Sequence, residues 1–599
     1  MNKDTLKWVI FGGLFTIPFI PFLVSSSLFF PFITTKAFVW RVIVEVIFAF
    51  WLILMLKEPE YRPKRSPILY AVLSFILIIG IADLLGDSPL KSFWSNFERM
   101  EGFISFLHLG AFFLVVGSVF KEEHWKNWWN TSLIASFLMA LHALTQSGRV
   151  EGTFGNPIYL SVYMLFHVFI ALFYLMREKE AGWRYFYGVL IVFETFILYR
   201  TATRGAILGI LGGFVILALL NIRKRASQGL LLGLLLLVGG FFLVRDTNFV
   251  KTSPVLSRFS SLSFEEIKTQ GRYFVWPIAM KGFKEKPILG WGQENFHEVF
   301  QKHYVPEMYN LEPWFDRAHN IFLDYLVVAG IVGLLAYLSL YGALLYLLYH
   351  DEKLSYTEKS VIVSLLAAYF FHNFFVFDHL ISYVLFFSLL AFIHSRHSGV
   401  PLTEKRLTEK YLNVSAALTS LCLVSSLYFV NWKPLTGNLA IIEAFRALQT
   451  GNVNKVTTSF ERAYLASPLG KQEVTEQMVI HAVPVLSAEN IPVEDRNKLF
   501  KFIRDAVLET ASKFPNDART QLITGAFLTA TADPSEGLKY LIRAHELSPN
   551  KQQMYWELAN AYFVKGDKEK AIEVLTELGK KSLPHKMQAD EYIKQIKNS

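Results

Sequence analysis

The stretch 314–349, "WFDRAHNIFLDYLVVAGIVGLLAYLSLYGALLYLLY", decides how this chain is read. It opens with Asp316, Arg317, His319 and Asn320 and then runs into mostly apolar sequence. That run exceeds the ~20 apolar residues a helix needs to cross a bilayer. Polar and ionisable side chains at membrane depth are expensive, so a cluster of them at the mouth of a span points to function. The bland reading is that Asn320 caps the helix N-terminus and His319 is incidental.

Composition agrees with a membrane protein. Of 599 residues 53% are hydrophobic and only 18% charged, with mean hydropathy +0.33. A soluble chain of this size carries more charge. The net charge of +9 is accounted for by basic loops on one side of a membrane, so no nucleic-acid partner is expected. The single cysteine, Cys422, excludes an internal disulfide and argues against a cysteine-based metal centre. The first apolar run, 8–30, lacks a small-residue cleavage site and reads as a membrane helix rather than a leader.

Thirteen apolar runs qualify as spans: 8–28, 37–56, 67–86, 102–120, 129–146, 157–176, 185–199, 205–222, 229–244, 320–349, 361–377, 380–395 and 412–432. With the N-terminus in the cytoplasm, the short inner loops hold 18 Lys plus Arg and the short outer loops 6. Cytoplasmic loops carry the excess of positive charge, so this orientation is expected. It places the loop 245–319 and the tail 433–599 outside. The division is therefore a polytopic membrane domain, 1–432, and an external domain, 433–599.

The tail changes character. It is rich in Lys, Glu, Ala and Gln, and "FERAYLASP" (460–468) resembles "LIRAHELSP" (541–549). A 34-residue frame puts Ala544 and Pro549 in one unit and Tyr555, Leu558, Ala559, Tyr562, Gly566 and Ala571 in the next. These are the small and aromatic packing positions of tetratricopeptide repeats, which stack helix pairs into a solenoid. The same frame gives a unit at about 437–470, with an irregular stretch 471–517 between. A plain helical bundle is the alternative. Such arrays bind partners more often than they catalyse.

Four polar places lie on the expected outer side. In "YRTATRGAILGILGG" (199–213) two arginines flank a very short turn, and Gly205, Gly209 and Gly212 form a small-residue face suited to close helix packing. Arg200 reads as a snorkelling residue and Arg204 as functional. In "GRYFVWPIAMKGFKEKPILGWGQENF" (271–296), Arg272, Trp276, Ala279 and Phe283 recur at helical spacing, which predicts an amphipathic helix on the membrane surface. Pro287 and Gly290 end it, and "GWG" turns the chain. The third place is the opening stretch. The fourth, "SFWSNFERMEG" (92–102), supplies Arg99 and Glu101 as a further wall or an ordinary loop. Asp83, Arg41 with Glu45, and His372 with Asn373 read as structural pairs within the membrane. Ser/His/Asp, P-loop, HExxH and CxxC patterns are absent, so the candidate chemistry rests on arginines and one histidine.

The order of "TRGAILGILGG", "GR…W..A...F.E.PILGWG..NF" and "AHNIFLDYLVVAGIVGLLAY", with a large outer loop, resembles the O-antigen ligase and polymerase family of bacterial membrane glycosyltransferases and the related pilin-type O-oligosaccharyltransferases. The resemblance covers roughly 90–395. It implies an all-α, GT-C-like membrane enzyme of the bacterial cytoplasmic membrane. Such an enzyme moves a glycan from an undecaprenyl diphosphate carrier to an acceptor hydroxyl at the outer face, inverting and without a metal or other cofactor. Motif by motif it implies that Arg204 and Arg272 bind the diphosphate, with Arg317 as a neighbour, and that His319 acts on the acceptor hydroxyl. Arg99 and Asn320 are possible further walls. Partners implied are the lipid-linked donor, a glycan, lipid or protein acceptor, and a protein bound by the repeats. A polysaccharide polymerase using the same donor, a lipid-glycan flippase and a non-catalytic scaffold remain as other readings.

Overall fold

The computed structural model describes residues 2–261, 268–405, 408–486, 491–531 and 533–599. Among them the protein is all-helical. Thirteen helices fall on the expected spans: α1 (Lys3–Thr16, extended by a 3-10 segment to Phe22), α2 (Pro31–Lys57), α3 (Pro67–Leu84), α4 (Phe103–Val119), α5 (Glu122–Leu144), α6 (Pro157–Arg177), α7 (Ala181–Arg200), α8 (Arg204–Leu220), α9 (Arg225–Val244), α11 (Ile321–His350), α12 (Tyr356–Asn373), α13 (Leu380–Arg396) and α14 (Glu409–Ser426), with α10 (Gly271–Glu285) in the large loop. Eight helices are long and apolar enough to cross a membrane, and α4, α8 and α13 are apolar but shorter. Helices α5 and α12 open on polar residues, "EEHWKN" and "YTEKS".

The connections fall on two faces. On one, Lys3 pairs with Glu60 at 2.5 Å, the Arg62 guanidinium donates to the Thr403 carbonyl at 2.9 Å, and Arg396 pairs with Asp351 at 2.6 Å. All the basic loops expected to be cytoplasmic meet here; Arg406, counted among them, lies outside the described residues. On the other face, Lys36 Nζ donates to the Thr153 carbonyl at 2.7 Å, Ile321 N donates to Val376 O at 3.1 Å, and the large loop and the tail gather.

Helix α11 is not the single crossing helix that the sequence suggests. It breaks at Ala329 and Gly330, whose φ of 63° is left-handed. Tyr325 stacks on Tyr337 with ring centroids 4.5 Å apart, and Phe322 lies 6.2 Å from Tyr337. A straight helix would separate residues 12 and 15 apart by about 18 and 22 Å along its axis. The segment 321–328 therefore folds back beside 331–350, and the latter, at about 30 Å, matches the hydrocarbon thickness. A break exposes backbone groups that must be satisfied in lipid. The "PILGWG" turn does this: Trp291 N and Gly292 N donate to Val327 O and Val328 O at 2.8 Å each, and Ile331 N donates to Pro287 O at 2.9 Å. Gly290 has φ 66°, and a Cβ there would sit 2.3 Å from Val327 O. Only glycine fits both the backbone angle and that approach.

The tail pairs as helical hairpins: α15 (Lys433–Gln449) with α16 (Val453–Ala466), α17 (Lys471–Leu486) with α18 (Val493–Lys513), α19 (Ala518–Thr531) with α20 (Pro534–Leu547), and α21 (Gln552–Val564) with α22 (Lys568–Lys581), closed by α23 (Leu583–Asn598). Tyr555, Ala559 and Ala571 are buried together in one inter-helix core and Ala544 and Leu558 in its neighbour, as the repeat frame predicts. Gly566 turns α21 into α22 with φ 91°. The expected boundary at 432 falls inside a continuous helical run, 409–449, through a π-helical segment Leu427–Trp432. Glu45 Oε1 accepts from Ser426 at 2.9 Å, Asn431 at 2.8 Å and His108 at 3.0 Å, which fixes that run against α2. Arg41 turns away from Glu45, donating instead to Met100 O at 3.0 Å and Ser105 Oγ at 3.1 Å. The two are thus not paired with each other. His372 likewise makes no hydrogen bond with Asn373, which donates to Asp378 at 3.0 Å.

Candidate active site

Arg204 is the first residue of α8, directly after the 201–203 turn, in which Ala202 takes φ 51°. The face that lets α8 approach α12 is Gly205, Gly209 and Gly213: a Cβ at Gly209 would lie 2.9 Å from Ala368 O and one at Gly213 3.0 Å from Ser364 O. Gly212, expected on this face, looks into open space. Close packing brings the start of α8 beside His372, whose Nδ1 would lie 3.6 Å from a Cβ at Gly205. Arg200 does not reach outward. Its guanidinium donates to Gln146 O at 3.0 Å and so braces the neighbouring loop.

Arg272 opens α10. That helix buries Val275, Ile278, Ala279 and Gly282 against Phe296, Val299, Phe300, Phe315 and Ala318. Ala279 lies on this buried stripe as expected, whereas Trp276 and Phe283 lie beside it, and the stripe packs on the large loop's own core. Trp276 Nε1 donates to Ala318 O at 3.1 Å, which ties α10 to the segment carrying His319. Arg272 is half-buried, and among the described residues no carboxylate pairs with it. Burial, followed by the charges of Arg204 and Arg258, lowers its pKa below the usual guanidinium value. Three cations therefore converge here.

His319 holds a left-handed backbone, φ 55°, one residue before Asn320. Asn320 Oδ1 accepts from Phe322 N at 3.0 Å and Leu323 N at 3.2 Å, so it is the helix cap. The His319 ring lies between Phe315 and Phe377, at centroid distances of 5.5 and 5.2 Å, and its Nδ1 is 3.1 Å from Arg317 O. A donor is needed to meet that carbonyl, so in the neutral ring Nδ1 carries the proton and Nε2 is left as the acceptor. Burial pushes its pKa down to about 4, with Arg272 and Arg99 acting in the same direction. The ring is neutral near pH 7.

Arg317 and Arg99 are differently placed. Arg317 is buried and donates to Glu294 at 2.7 Å and to Glu101 at 3.3 Å. Burial holds the Glu101 carboxyl up at about 8, against the pull of Arg317. Arg99 forms a fork with Asp316, at 2.7 and 3.1 Å, and stacks on Phe377 at 5.1 Å. Burial alone would raise Asp316; Arg99 outweighs it and holds the carboxyl down at about 2. Both arginines are thus matched within the fold. Their partners are nearby acids that sequence spacing does not pair: Glu294 is 23 residues from Arg317, and Asp316 is 217 from Arg99. His372 also escaped the sequence reading as anything but structural. It is buried, and neither ring nitrogen finds a hydrogen-bond partner among the described residues.

The repeat domain grips the same loop from the other side. Ser548 Oγ donates to Gln301 O at 3.0 Å, Gln552 Nε2 to Pro306 O at 2.8 Å and Asn550 Nδ2 to Tyr304 O at 3.4 Å. Lys551 reaches Pro313 O and lies 3.9 Å over the Trp314 ring, and Trp314 packs on the core between α19 and α22. Asp517 pairs with His297 at 3.0 Å.

The family model described as O-Antigen ligase matches residues 187–338, a span that runs from α7 into α11 and holds Arg204, Arg272, Arg317 and His319. An O-antigen ligase of Salmonella typhimurium strain LT2 is 26% identical over 343 residues, which is 52% of this chain and 79% of that protein. Among solved structures, the crystal structure of yeast Tom70 aligns over 79% of this chain and 93% of that chain, at 14% identity and a TM-score of 0.15. A score that low carries no argument, and the repeat architecture rests on the helix pairing described above.

Proposed function

We propose that this chain, which is similar over residues 187–338 to the O-antigen ligase family model and at 26% identity to an O-antigen ligase, is a glycan ligase- or polymerase-type enzyme of a bacterial inner membrane that transfers a glycan from an undecaprenyl diphosphate carrier to an acceptor hydroxyl. The face carrying the large loop and the tail is taken as extracytoplasmic and the basic face as cytoplasmic, by the distribution of lysine and arginine. The carrier's apolar chain lies in lipid, and its diphosphate sits at the rim where Arg204 and Arg272 converge.

The observation that carries this reading is that Arg272, half-buried and with its Nε unsatisfied, has no carboxylate partner among the described residues and stands beside a neutral histidine. A bound dianion would supply the partner that this guanidinium lacks. As the glycosidic bond breaks, the leaving diphosphate gains negative charge. Fixed guanidinium forks, which stay protonated and match phosphate oxygens, stabilise that charge more than they stabilise the ground state. His319 Nε2 accepts the proton of the acceptor hydroxyl as it attacks the anomeric carbon. The bound diphosphate raises the imidazole's proton affinity from its low value in the empty site, so the base strengthens when substrate is present. Arg317, Arg99 and Asn320 hold the loop that aims His319, through Glu294 and Glu101, Asp316, and the helix cap respectively.

In cells, Arg272→Ala and His319→Ala should both insert normally and accumulate carrier-linked glycan. Unchanged transfer in both variants would sink the mechanism.

A further inference from the structure

A cleft of about 660 Å3 lies between the outer loop 87–99, the loop 312–316 and helices α16 to α19 of the repeat domain. That volume suits a small ligand or a few residues of a chain. Arg99 and Asp316 are among the residues that line it, and the Phe377 ring under Arg99 also packs against the His319 ring. Two side chains therefore separate the cleft wall from the proposed base.

We propose that this cleft binds the acceptor, and that the acceptor is an extended polypeptide with basic side chains flanking its hydroxyl-bearing residue. The inference rests on the glycan-transfer reading above. Two observations select a polypeptide. The repeat domain already holds a run of this chain, from the last turn of a short helix (Phe296–Lys302) through a 3-10 turn (Pro306–Met308) to Pro313, and it does so through side-chain donors aimed at main-chain carbonyls, those of Gln301, Tyr304, Pro306 and Pro313. The cleft continues from that run at Pro313 and Trp314. Main-chain recognition of this kind suits any sequence of suitable length and leaves selection to side chains.

Charge supplies the selection. Among the cations along the cleft, Arg519 pairs with Glu476 and Lys91 with Asp517, while Lys471 and Lys513 share Glu509. Glu312 has no hydrogen-bond or ion-pair partner among the described residues, and Glu98 is half exposed with only a 3.4 Å contact to Arg99, itself held by Asp316. Partial desolvation raises both carboxyls above the usual range, and the charge of Arg99 does not offset it. A lysine or arginine from a bound chain would supply the balancing positive charge.

The test uses the full-length protein in nanodiscs and a fluorescent serine peptide flanked by lysines. Controls are the same peptide with glutamates and a neutral maltooligosaccharide. Saturable binding of the basic peptide alone is expected, weakened about tenfold by Glu98→Gln with Glu312→Gln. Glu98→Lys with Glu312→Lys should transfer the preference to the acidic peptide, a gain that misfolding cannot mimic. Equal binding of all three probes, binding of the oligosaccharide alone, or no change in either double variant would overturn the inference. Peptide binding should survive His319→Ala. If the peptide fails to bind while His319-dependent transfer persists, the cleft assignment falls and the glycan-transfer reading stands. If binding holds while transfer ignores His319 and Arg272, the reverse applies.

Discussion

Arg99 and Arg317 on the one hand and Arg272 on the other share the same chemistry near His319 and have opposite surroundings. Arg99 and Arg317 each meet a carboxylate at 2.7 Å, and their charge is spent on holding the loop. Arg272 has no acid beside it among the described residues and is crowded by Arg204 and Arg258. An arginine in a closed ion pair organises structure, whereas one with no carboxylate beside it is open to an anionic ligand. A sequence shows five arginines in polar stretches; only their neighbours separate scaffold from ligand site.

The largest test of that contrast is Arg317→Ala. It strands the buried Glu294 carboxylate, at a cost of about 3–5 kcal/mol, so the thermal midpoint in detergent should fall sharply. If Arg317→Ala leaves stability intact and removes only transfer, Arg317 belongs with the ligand site instead. Arg272→Ala should do the opposite, leaving stability near wild type and lowering transfer about 100- to 1,000-fold, read by single-turnover assay. Gly290→Ala should cost about 1–3 kcal/mol, because its left-handed φ and the Val327 carbonyl both resist a Cβ. Its readout is the yield of folded, monodisperse protein. Arg272→Lys should retain binding but lose about tenfold in transfer, since an ammonium lacks the guanidinium fork.

The smallest effect concerns pH. His319 has its folded pKa pushed down to about 4 from an ordinary value near 6.5. Its neutral form is favoured by the fold, so its contribution to stability is complete above pH 6.5 and is lost as pH falls through about 4. In kcat/KM profiles the acid limb from the free enzyme should therefore lie near pH 4. A limb near 6.5 would show that His319 is solvated and not packed between Phe315 and Phe377.

Much of the fold was legible because its signals are long. Apolar runs and basic loops mark spans and faces, and the 34-residue frame placed Tyr555, Ala559 and Ala571 in a shared core. What the sequence hid is what the chain does within a span or across it. Nothing in "LVVAGIVG" distinguishes a straight helix from one broken at Ala329 and Gly330, because the backbone groups freed there are met by Trp291 and Gly292, about forty residues earlier. On α10 the sequence marks Ala279 correctly but not its neighbours, since Val275 and Ile278 are no less apolar than Trp276 and Phe283 and only packing chooses between them. At the site, Arg99, Arg317 and His319 lie on or against one loop, and the charge of Arg272 acts on the His319 ring. Their division into two classes was illegible, because Asp316 meets Arg99 across 217 residues.

Binding without chemistry tests the central claim most directly. A short isoprenyl diphosphate, titrated into purified protein, should raise the thermal midpoint of wild type and of His319→Ala alike. A ligand at 100 times its Kd stabilises by about 2.7 kcal/mol. The Arg272→Ala variant should show little or no such shift. Equal stabilisation of Arg272→Ala and wild type would contradict the assignment of this rim as the diphosphate site.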